Sequence, residues 1–430
     1  MTLTGRAALL ALTGAIVVLI VQTGLALLAV DAIVLAAIIA DLLMAASLGP
    51  LEVTRSGDAK VHLGQSGSIA LSITNRGRRH LRGLVRDGWR PSAGAAPARH
   101  PISLPASRRV TFRTTLTPTR RGDIQAAVVT VRSLGPLGLA ARQRNLPAPW
   151  TVRVLPPFLS RKHLPAKLAR LRELDGQHKS LIRGQGSEFD SLRPYVLGDD
   201  VRSIDWRSSA RRADVLVRTW RPERDRRIVV VLDTGRGSAG RVGGLTRLDA
   251  SMDAALLLTA LAVRAGDRVD LLAIDRRVRA RVVGAGRNEV LATITNELAL
   301  LEPELVEPDI ALMAASVLGI ARQRSLVVLM TDLNPATIEQ GLLPSIGLLS
   351  SRHLVLIAAV ADPKVAEMAT GRGDVTAVYQ AAAALRAQAG RAQVSARLRR
   401  HGVEVVDAPP NRLAPALADA YLTLKSEGRL

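Results

Sequence analysis

A long N-terminal run of apolar residues constrains the fold of this chain more than any other feature. The segment Ala7–Val30 contains no charged residue, and after Asp31 the sequence is again mainly apolar as far as Leu48. A helix needs ~20 apolar residues to cross the hydrocarbon core of a bilayer. The run is too long for one span and suits two, so we predict a transmembrane helical hairpin over residues 1–50. Its turn should fall between Gln22 and Asp31.

The charges in and around this run suggest how the hairpin is oriented. A carboxylate is costly at the centre of a bilayer, so we expect Asp31 near the interface and Asp41 against the partner helix. Arg6 precedes the hairpin, and Arg55 and Lys60 follow it. Basic residues favour cytoplasmic loops, which predicts a cell-membrane protein whose bulk is cytoplasmic. A cleaved signal peptide and a single long tilted span remain alternatives.

The net charge indicates which classes of partner the chain could bind. Lys and Arg number 59 against 37 Asp and Glu, which gives a formal charge of +22. Such a charge suits nucleic acid, an anionic membrane or an acidic protein. Aromatic residues make up 2% of the chain, too few for the base stacking that nucleic-acid grooves use. We therefore expect no nucleic-acid partner, and the lack of cysteine excludes disulfides and thiolate metal sites.

Residues 51–157 have the pattern of short β-strands. Apolar residues alternate with polar ones, as at Ile69, Leu71 and Ile73, and Gly- or Pro-containing turns separate the runs. This spacing predicts a small β-sandwich domain of immunoglobulin-like type. The Pro- and Ala-rich stretch Pro91–Ala106 should be a loop. No residue pattern in this domain indicates chemistry, so we interpret it as a spacer or interaction module.

Residues 158–226, the signature segment, are the most distinctive part of the chain. A basic helix over Arg161–Leu174 is predicted to precede a loop in which carboxylates alternate with arginines. Such pairs bind bidentately and lock irregular backbone. We expect no acid–base dyad at the adjacent Asp199 and Asp200, because adjacent side chains on a turn point apart and the flanking arginines would pair with them. The notable positions are Gly184, Gly186, Glu188, Phe189, Leu192, Arg193, Tyr195, Gly198, Asp199, Asp200, Arg202, Asp205, Trp206 and Arg211.

Residues 227–430 alternate between apolar strands and helices. The strand Arg227–Leu232 ends at Asp233, and the strand Ser325–Met330 is followed after Thr331 by Asp332. Alternating strands and helices predict a doubly wound α/β sheet with its site at the carboxyl ends of the strands. In the strand order 3-2-1-4-5-6 the first and fourth strands are neighbours. We therefore expect Asp233 and Asp332 to face each other there.

A motif in the same domain resembles a dinucleotide-binding fingerprint but lacks the surrounding features of one. Gly235–Gly240 matches Gly-x-Gly-x-x-Gly after a strand. The next helix begins only at a capping box of Thr246 and Asp249, and Ala260 stands where a ribose-binding acid is required. No P-loop motif occurs, so the chain is not itself a P-loop ATPase.

The signature segment closely resembles the domain of unknown function 58 (DUF58) family. The strings Gly-x-Gly-x-Glu-Phe, Leu-Arg-x-Tyr, Gly-Asp-Asp-x-Arg-x-Ile-Asp-Trp and Ala-Arg occur in order over residues 184–211. The hairpin and a β-domain with Arg121-Gly122 and Gly135–Leu139 near its end are similar to that family too. The resemblance implies a von Willebrand factor A-like domain over residues 227–430 and an association with MoxR-type AAA+ ATPases.

The resemblance also implies a possible metal site. Von Willebrand factor A domains hold a divalent ion with an Asp-x-Ser-x-Ser loop, a Thr and a second Asp, and such oxygen ligands suit Mg²⁺. Only Asp233 and Asp332 carry over, because Gly235 and Gly237 occupy the Ser positions and Pro308 the Thr position. A weak Mg²⁺ site and a degenerate, metal-free pocket both remain open.

These features together predict a membrane-tethered, non-enzymatic scaffold protein. It would work with a MoxR-type AAA+ ATPase in the assembly or maturation of protein complexes. One alternative is a metal-dependent enzyme that uses Asp233 and Asp332. Another is a basic binder of nucleic acid or anionic lipid that uses Arg202–Arg227. The scaffold is preferred because the motifs indicate binding surfaces and the expected catalytic groups are missing.

Overall fold

The chain forms two structural units. A computed structural model describes residues 2–181, 188–211, 214–221 and 226–430. The units are Met1–Pro157 and Phe158–Leu430. Each has its own buried apolar clusters.

The first unit joins a pair of apolar helices to β-structure. The helices are α1 (Gly5–Val21) and α2 (Gly24–Met44). The strands are β1 (Thr2–Leu3), β2 (Leu51–Gly57), β3 (Lys60–His62), β4 (Gly67–Asn75), β5 (Leu81–Trp89), β6 (Ala95–Ala96), β7 (Arg99–Leu104), β8 (Arg109–Leu116), β9 (Gly122–Leu134), β10 (Ala140–Leu146) and β11 (Thr151–Leu155).

These strands form two sheets that share a core. One sheet has the order β2-β4-β8-β6. The other has the order β1-β10-β9-β11-β3, with β5 pairing to β9 and β7 to β5. Leu71 and Ile73 of β4 are fully buried and belong to the same apolar cluster as Val129 and Val131 of β9. The alternation of apolar residues along β4 is therefore confirmed as the inward face of a sheet.

The expectation of a loop over Pro91–Ala106 is wrong. The stretch contains β6 and β7, and the side chains of His100, Ile102 and Leu104 are buried in alternation along β7. Pro101 lies within β7, which pairs only with β5 among the described strands. An edge strand tolerates proline because one side of its backbone needs no ladder hydrogen bond.

The two apolar helices pack against each other. Gln22 has a left-handed backbone (φ 54°) and ends α1, and α2 starts at once after Thr23. Gly14 allows this packing, since a Cβ there would lie 2.5 Å from a methyl carbon of Val30. α2, with 21 residues, is long and apolar enough to cross a membrane, whereas α1 is shorter at 17 residues. Asp31 lies about 10 Å along α2 from its first residue.

Asp41 fastens the end of α2 to the β-structure. Its side chain is fully buried, and its carboxylate accepts hydrogen bonds from the backbone N–H groups of Leu137 and Leu139 (both 2.7 Å) and of Ala140 (2.9 Å). The expectation that Asp41 faces the partner helix is wrong. The loop between β9 and β10 offers convergent N–H groups, which form a nest for an anion.

The same β9–β10 loop receives the start of α1. The backbone N–H of Thr4 donates to the carbonyl of Leu139 (3.1 Å), and its hydroxyl donates to that of Gly138 (2.5 Å). Gly135 must be glycine, because a Cβ there would lie 2.2 Å from a carboxylate oxygen of Asp41. The β9–β10 loop thus binds both the residue that precedes α1 and the C-terminal part of α2.

The second unit is an α/β structure preceded by a small hairpin. Its helices are α3 (Leu164–Leu181), α4 (Trp206–Ser209), α5 (Arg236–Ala239), α6 (Arg247–Arg264), α7 (Val290–Leu300), α8 (Ile310–Ile320), α9 (Pro335–Thr337), α10 (Leu343–Ser350), α11 (Pro363–Met368), α12 (Val375–Arg400) and α13 (Pro410–Ser426). Its strands are β12 (Glu188–Pro194), β13 (Leu216–Arg221), β14 (Arg227–Asp233), β15 (Arg241–Val242), β16 (Leu245–Thr246), β17 (Arg268–Ile274), β18 (Val278–Val282), β19 (Leu326–Met330), β20 (Leu354–Val360) and β21 (Glu404–Ala408).

The main sheet is doubly wound. Its order is β18-β17-β14-β19-β20-β21, with β18 antiparallel and the other pairings parallel. Numbered along the chain, this is the order 3-2-1-4-5-6. On β14, Val230 and Leu232 pack in the cluster that includes α6 and α13. Val229 and Val231 pack on the other face in the cluster that includes α8 and α12. The apolar run therefore marks a strand buried on both faces.

Local signals predicted α6 well and β18 not at all. The hydroxyl of Thr246 accepts from the N–H of Asp249 (3.1 Å), and the Asp249 carboxylate accepts from the N–H of Thr246 (3.2 Å), so the predicted capping box is present. The sequence of β18, Val-Arg-Ala-Arg-Val, has only a short alternation with charged residues. Its place at the sheet edge explains that composition.

Replacing Asp41 should weaken the attachment of α2 to the β9–β10 loop. In Asp41→Asn one oxygen acceptor is lost and the negative charge disappears, so buried N–H groups lose their acceptor. We expect the free energy of unfolding of the first unit to fall by about 3 kcal/mol. Hydrogen exchange of the 137–140 amides in detergent-solubilised full-length chain should accelerate. The exposed Asp31→Asn is the control, and unchanged protection in Asp41→Asn would contradict this role.

Candidate functional site

The carboxyl edge of the main sheet brings the two predicted aspartates to neighbouring strand ends. β14 and β19 run parallel, with Leu232 opposite Met330. Asp233 is the last residue of β14, and Asp332 lies two residues beyond the end of β19. Neighbouring parallel strands end at the same edge of the sheet, and doubly wound folds place their ligand sites at that edge.

Asp233 is buried and held by its own loop. One carboxylate oxygen accepts the N–H of Gly235 and the other accepts the hydroxyl of Thr331, each at 2.7 Å. Burial raises the pKa of Asp233 above its ordinary value. The two hydrogen bonds oppose that rise, and the charges of Asp332 and Asp275 add to it. Its geometry is thus that of a structural carboxylate whose oxygens are already engaged.

Asp332 is held by arginines from both helical layers. Its oxygens pair with Nη1 of Arg247 (2.8 Å) and Nη1 of Arg391 (2.7 Å). Arg247 begins α6 and Arg391 lies in α12, and these helices cover opposite faces of the sheet. Arg391 also pairs with Asp407 of β21 at 2.7 Å. We call Asp332, Arg247 and Arg391 the Asp332 clamp.

Neither arginine of the Asp332 clamp is predicted by a sequence pattern. No motif surrounds Arg247 or Arg391, and each is one of many arginines in this chain. Their pairing with Asp332 joins residues that are 85 and 59 positions apart. Only the position of their helices on the two faces of the sheet brings them together.

A second loop closes over the position where the resemblance calls for a hydroxyl ligand. The N–H of Arg236 donates to the carbonyl of Val306, and the N–H of Glu304 donates to that of Thr234, each at 2.8 Å. A Cβ at Gly235 would lie 2.8 Å from the Val306 carbonyl oxygen. Position 235 therefore has no room for a serine side chain.

The residues at this edge do not fit a Mg²⁺ site. Asp332 already has two guanidinium counterions, and the hydroxyl of Ser238 donates to the carbonyl of Gly235 at 2.7 Å. Within the described ranges, no three His, Cys, Asp or Glu side chains gather in a way that could hold a metal ion. A divalent cation would have to displace arginines that already neutralise its principal ligand.

The signature segment has more regular structure than its charges indicated. β12 and β13 form an antiparallel hairpin in which Leu192 lies opposite Arg218. The prediction that an Arg- and Asp-rich loop accounts for this region is therefore wrong at both of its ends. Gly184 and Gly186 lie outside the described residues, and Glu188 and Phe189 are placed in β12 by their backbone. Between the strands lie Tyr195, Gly198, Asp199, Asp200, Arg202, Asp205, Trp206 and Arg211.

The predicted ion-pair network is present between these strands. Arg193 binds both oxygens of Asp199 (2.6 and 2.7 Å), which lowers the pKa of Asp199. Asp205 accepts the N–H of Ser208 (3.0 Å) and pairs with Arg218 (2.9 Å), and these two bonds lower the pKa of Asp205. Both aspartates are thus held ionised and serve to shape the backbone.

A protein-family model matches most of the second unit. Residues 191–404 match the family described as "Protein of unknown function DUF58". Uncharacterized proteins of Mycobacterium bovis and Mycobacterium tuberculosis are 28% identical to this chain over 198 residues. The match covers 45% of this chain and 61% of each relative. The matched part of the chain thus spans about three fifths of the length of these curated relatives.

The solved structures that match do so weakly. The CARDB domain of a Pyrococcus furiosus protein, in complex with di-metal ions, is 18% identical, with a TM-score of 0.19. The match covers 24% of this chain and 91% of that one. A GH20 exo-β-N-acetylglucosaminidase of Vibrio harveyi is 9% identical, with a TM-score of 0.19. The match covers 84% of this chain and 82% of that one.

The raised pKa of Asp233 predicts that the effect of Asp233→Asn on stability depends on pH. Between the ordinary value of 3.8 and the raised pKa, the folded chain keeps a proton that the unfolded chain releases. The free energy of unfolding therefore falls as pH rises through that window. Asp233→Asn removes this loss, so its melting temperature relative to wild type should increase as pH rises above 3.8. Thermal unfolding of the full chain in detergent measures it.

The exposed helix cap Asp309→Asn serves as control for that measurement. Asn caps a helix about as well as Asp, so its effect on the melting temperature should not follow the same pH window. A difference between Asp233→Asn and wild type that stays constant with pH would contradict the assignment.

The Asp332 clamp predicts weak metal binding. Because two guanidinium groups neutralise Asp332, Mg²⁺ should bind the full-length chain only at millimolar concentrations or above. Isothermal titration calorimetry, with Asp233→Ala as control, measures this. Tight Mg²⁺ binding by the unaltered chain that is lost in Asp233→Ala would restore a working metal site.

Proposed function

We propose, since this chain belongs to the DUF58 family over residues 191–404, that it is a membrane-tethered scaffold protein. In this proposal it works with a MoxR-type AAA+ ATPase in the assembly or maturation of protein complexes. Its second unit acts as a von Willebrand factor A-like binding domain. Its first unit acts as a membrane anchor with an immunoglobulin-like spacer.

The Asp332 clamp is the observation that carries this proposal. It neutralises the acidic edge of the sheet with the chain's own arginines and ties both helical layers to that edge. Asp233, the other carboxylate of the edge, is buried with both oxygens engaged. An edge built in this way offers a firm surface to a partner, and neither Asp233 nor Asp332 is free to act as the acid, base or metal ligand of a hydrolytic site.

The sheet order supports the von Willebrand factor A-like assignment. An antiparallel third strand, β18, stands at one edge of an otherwise parallel sheet, and the two aspartates lie at its switch point. A von Willebrand factor A-like domain without these metal ligands would bind partners through its surface instead of through a bridging ion.

The helices of the first unit support the tether. α2 is long and apolar enough to span a membrane, and its packing against α1 through Gly14 suits a hairpin. The β9–β10 loop holds the base of both helices, through Thr4 and Asp41. Both ends of the hairpin then lie on the side of the β-structure, which we propose to be the cytoplasmic side.

Membrane vesicles of defined orientation test the tether and the partnership together. The full-length chain is expressed in cells from which inside-out and right-side-out vesicles are prepared. A purified MoxR-type ATPase from the same organism is added with a slowly hydrolysed ATP analogue or with ADP. We expect saturable binding, with a micromolar or tighter dissociation constant, only to inside-out vesicles that contain the chain.

Vesicles without the chain are the control for non-specific adsorption. Equal binding to both orientations would contradict the cytoplasmic placement. No binding in either nucleotide state would remove the partnership. Recovery of the chain in the soluble fraction would remove the tether.

A further inference from the structure

Four exposed apolar side chains lie close together along the sequence of the signature segment. Leu197 is 96% exposed, Trp206 68%, and Val196 and Val201 61% each. Single exposed apolar residues are ordinary on a protein surface, but several together mark an interaction site. These four lie within eleven consecutive residues, three of them in one loop.

That loop projects compactly from the β12–β13 hairpin. Its first residue, Tyr195, donates its N–H to the carbonyl of Val215 (2.8 Å), and its last, Asp205, donates to that of Leu216 (2.9 Å). Both ends therefore rest on consecutive residues of one chain segment. We call Tyr195–Asp205, together with Trp206, the projecting loop. Closed loops of this kind are frequently functional.

Ion pairs fix the shape of the projecting loop before any partner arrives. Asp199 is bound by the Arg193 guanidinium and also accepts the N–H of Val196 at 2.9 Å. Asp205 caps α4, the short helix that begins with Trp206. A surface that is already ordered loses less conformational entropy on binding. Asp199 and Asp205 are thus engaged within the loop, where they hold the backbone that carries the exposed apolar side chains.

Between β12 and β13, the exposed charges without an ion pair to a described residue are three arginines and two aspartates, Asp200 and Asp214. Arg202, Arg207 and Arg211 are exposed and form no ion pair with any residue that the structure describes. Trp and Arg are the side chains that most often dominate the energy of protein–protein interfaces. A complementary partner would present acidic groups around an apolar pocket.

The charge balance favours a protein over a lipid surface. Residues 188–221 contain seven arginines and six carboxylates, so this part of the chain is close to neutral. Binding to anionic lipid grows with net positive charge, whereas paired charges around a fixed apolar centre suit a shaped protein site.

We propose that the projecting loop is the surface on which this chain docks an acidic partner protein, with Trp206 and Leu197 entering an apolar pocket and Arg202, Arg207 and Arg211 pairing with carboxylates around it. This inference rests on the proposed scaffold function and assigns its contact surface.

Affinity measurements on surface variants test this assignment. The full-length chain is placed in nanodiscs of phosphatidylcholine, and binding of the purified MoxR-type ATPase is followed by biolayer interferometry. Trp206→Ala should weaken binding about tenfold or more, and Leu197→Ser should also weaken it. Arg207→Glu with Arg211→Glu should slow association and reduce its dependence on salt.

Tyr379→Ala is the matched control, because Tyr379 is an aromatic side chain of the same unit that is 75% exposed. It should leave the affinity within about twofold, as expected for surface positions outside the binding hot spot. Unchanged thermal unfolding of each variant shows that the fold is intact, which is expected because all the altered side chains are exposed.

The outcomes separate this surface from the function on which it rests. If the unaltered chain binds the ATPase and Trp206→Ala binds equally well, the surface is wrong and the scaffold function stands. If the unaltered chain does not bind, the function is wrong and the surface falls with it. If Trp206→Ala instead reduces only capture of added phosphatidylglycerol vesicles, the projecting loop is a membrane contact and the proposal is overturned.

Discussion

The carboxylate of Asp332 is the point on which the edge of the main sheet depends. It lies where the strand order reverses, and it receives Arg247 from one helical layer and Arg391 from the other. Arg391 extends the chain of charges to Asp407 at the last strand. Removing Asp332 would leave Arg247 without this counterion in a part-buried place, which costs far more than an exposed ion pair gains. The clamp therefore fixes the layers to each other at the edge where related architectures place ligands.

A carboxylate has a similar structural role in the first unit. Asp41 lies in an apolar helix, where an acidic residue is usually a sign of function. Its charge is instead satisfied by three backbone N–H groups of the β9–β10 loop. In both units, the acidic residues that the sequence singles out as candidate functional residues form hydrogen bonds or ion pairs that hold the fold together. Exposed apolar and basic side chains, such as those of the projecting loop, are not engaged in this way.

The features that sequence predicts well here are those set by neighbours in the chain. The apolar run of β14 and the capping box of α6 follow from local burial and local hydrogen bonding, and both occur as predicted. β7 and β18 were missed because an edge strand may contain proline or arginine without losing its pairing. β12 and β13 were missed because their charged residues hide the alternation of a hairpin.

The sequence by itself determined the apolar helices, the two-sheet and doubly wound character of the units, and the positions of Asp233 and Asp332 at strand ends. These depend on periodicity and on turn residues, which act over a few positions. Only the tertiary structure decided what those carboxylates do. Arg247, Arg391 and the loop over Gly235 reach the edge from distant parts of the chain. Long-range pairing of this kind leaves no periodic trace, because any one of many arginines could have supplied the charge.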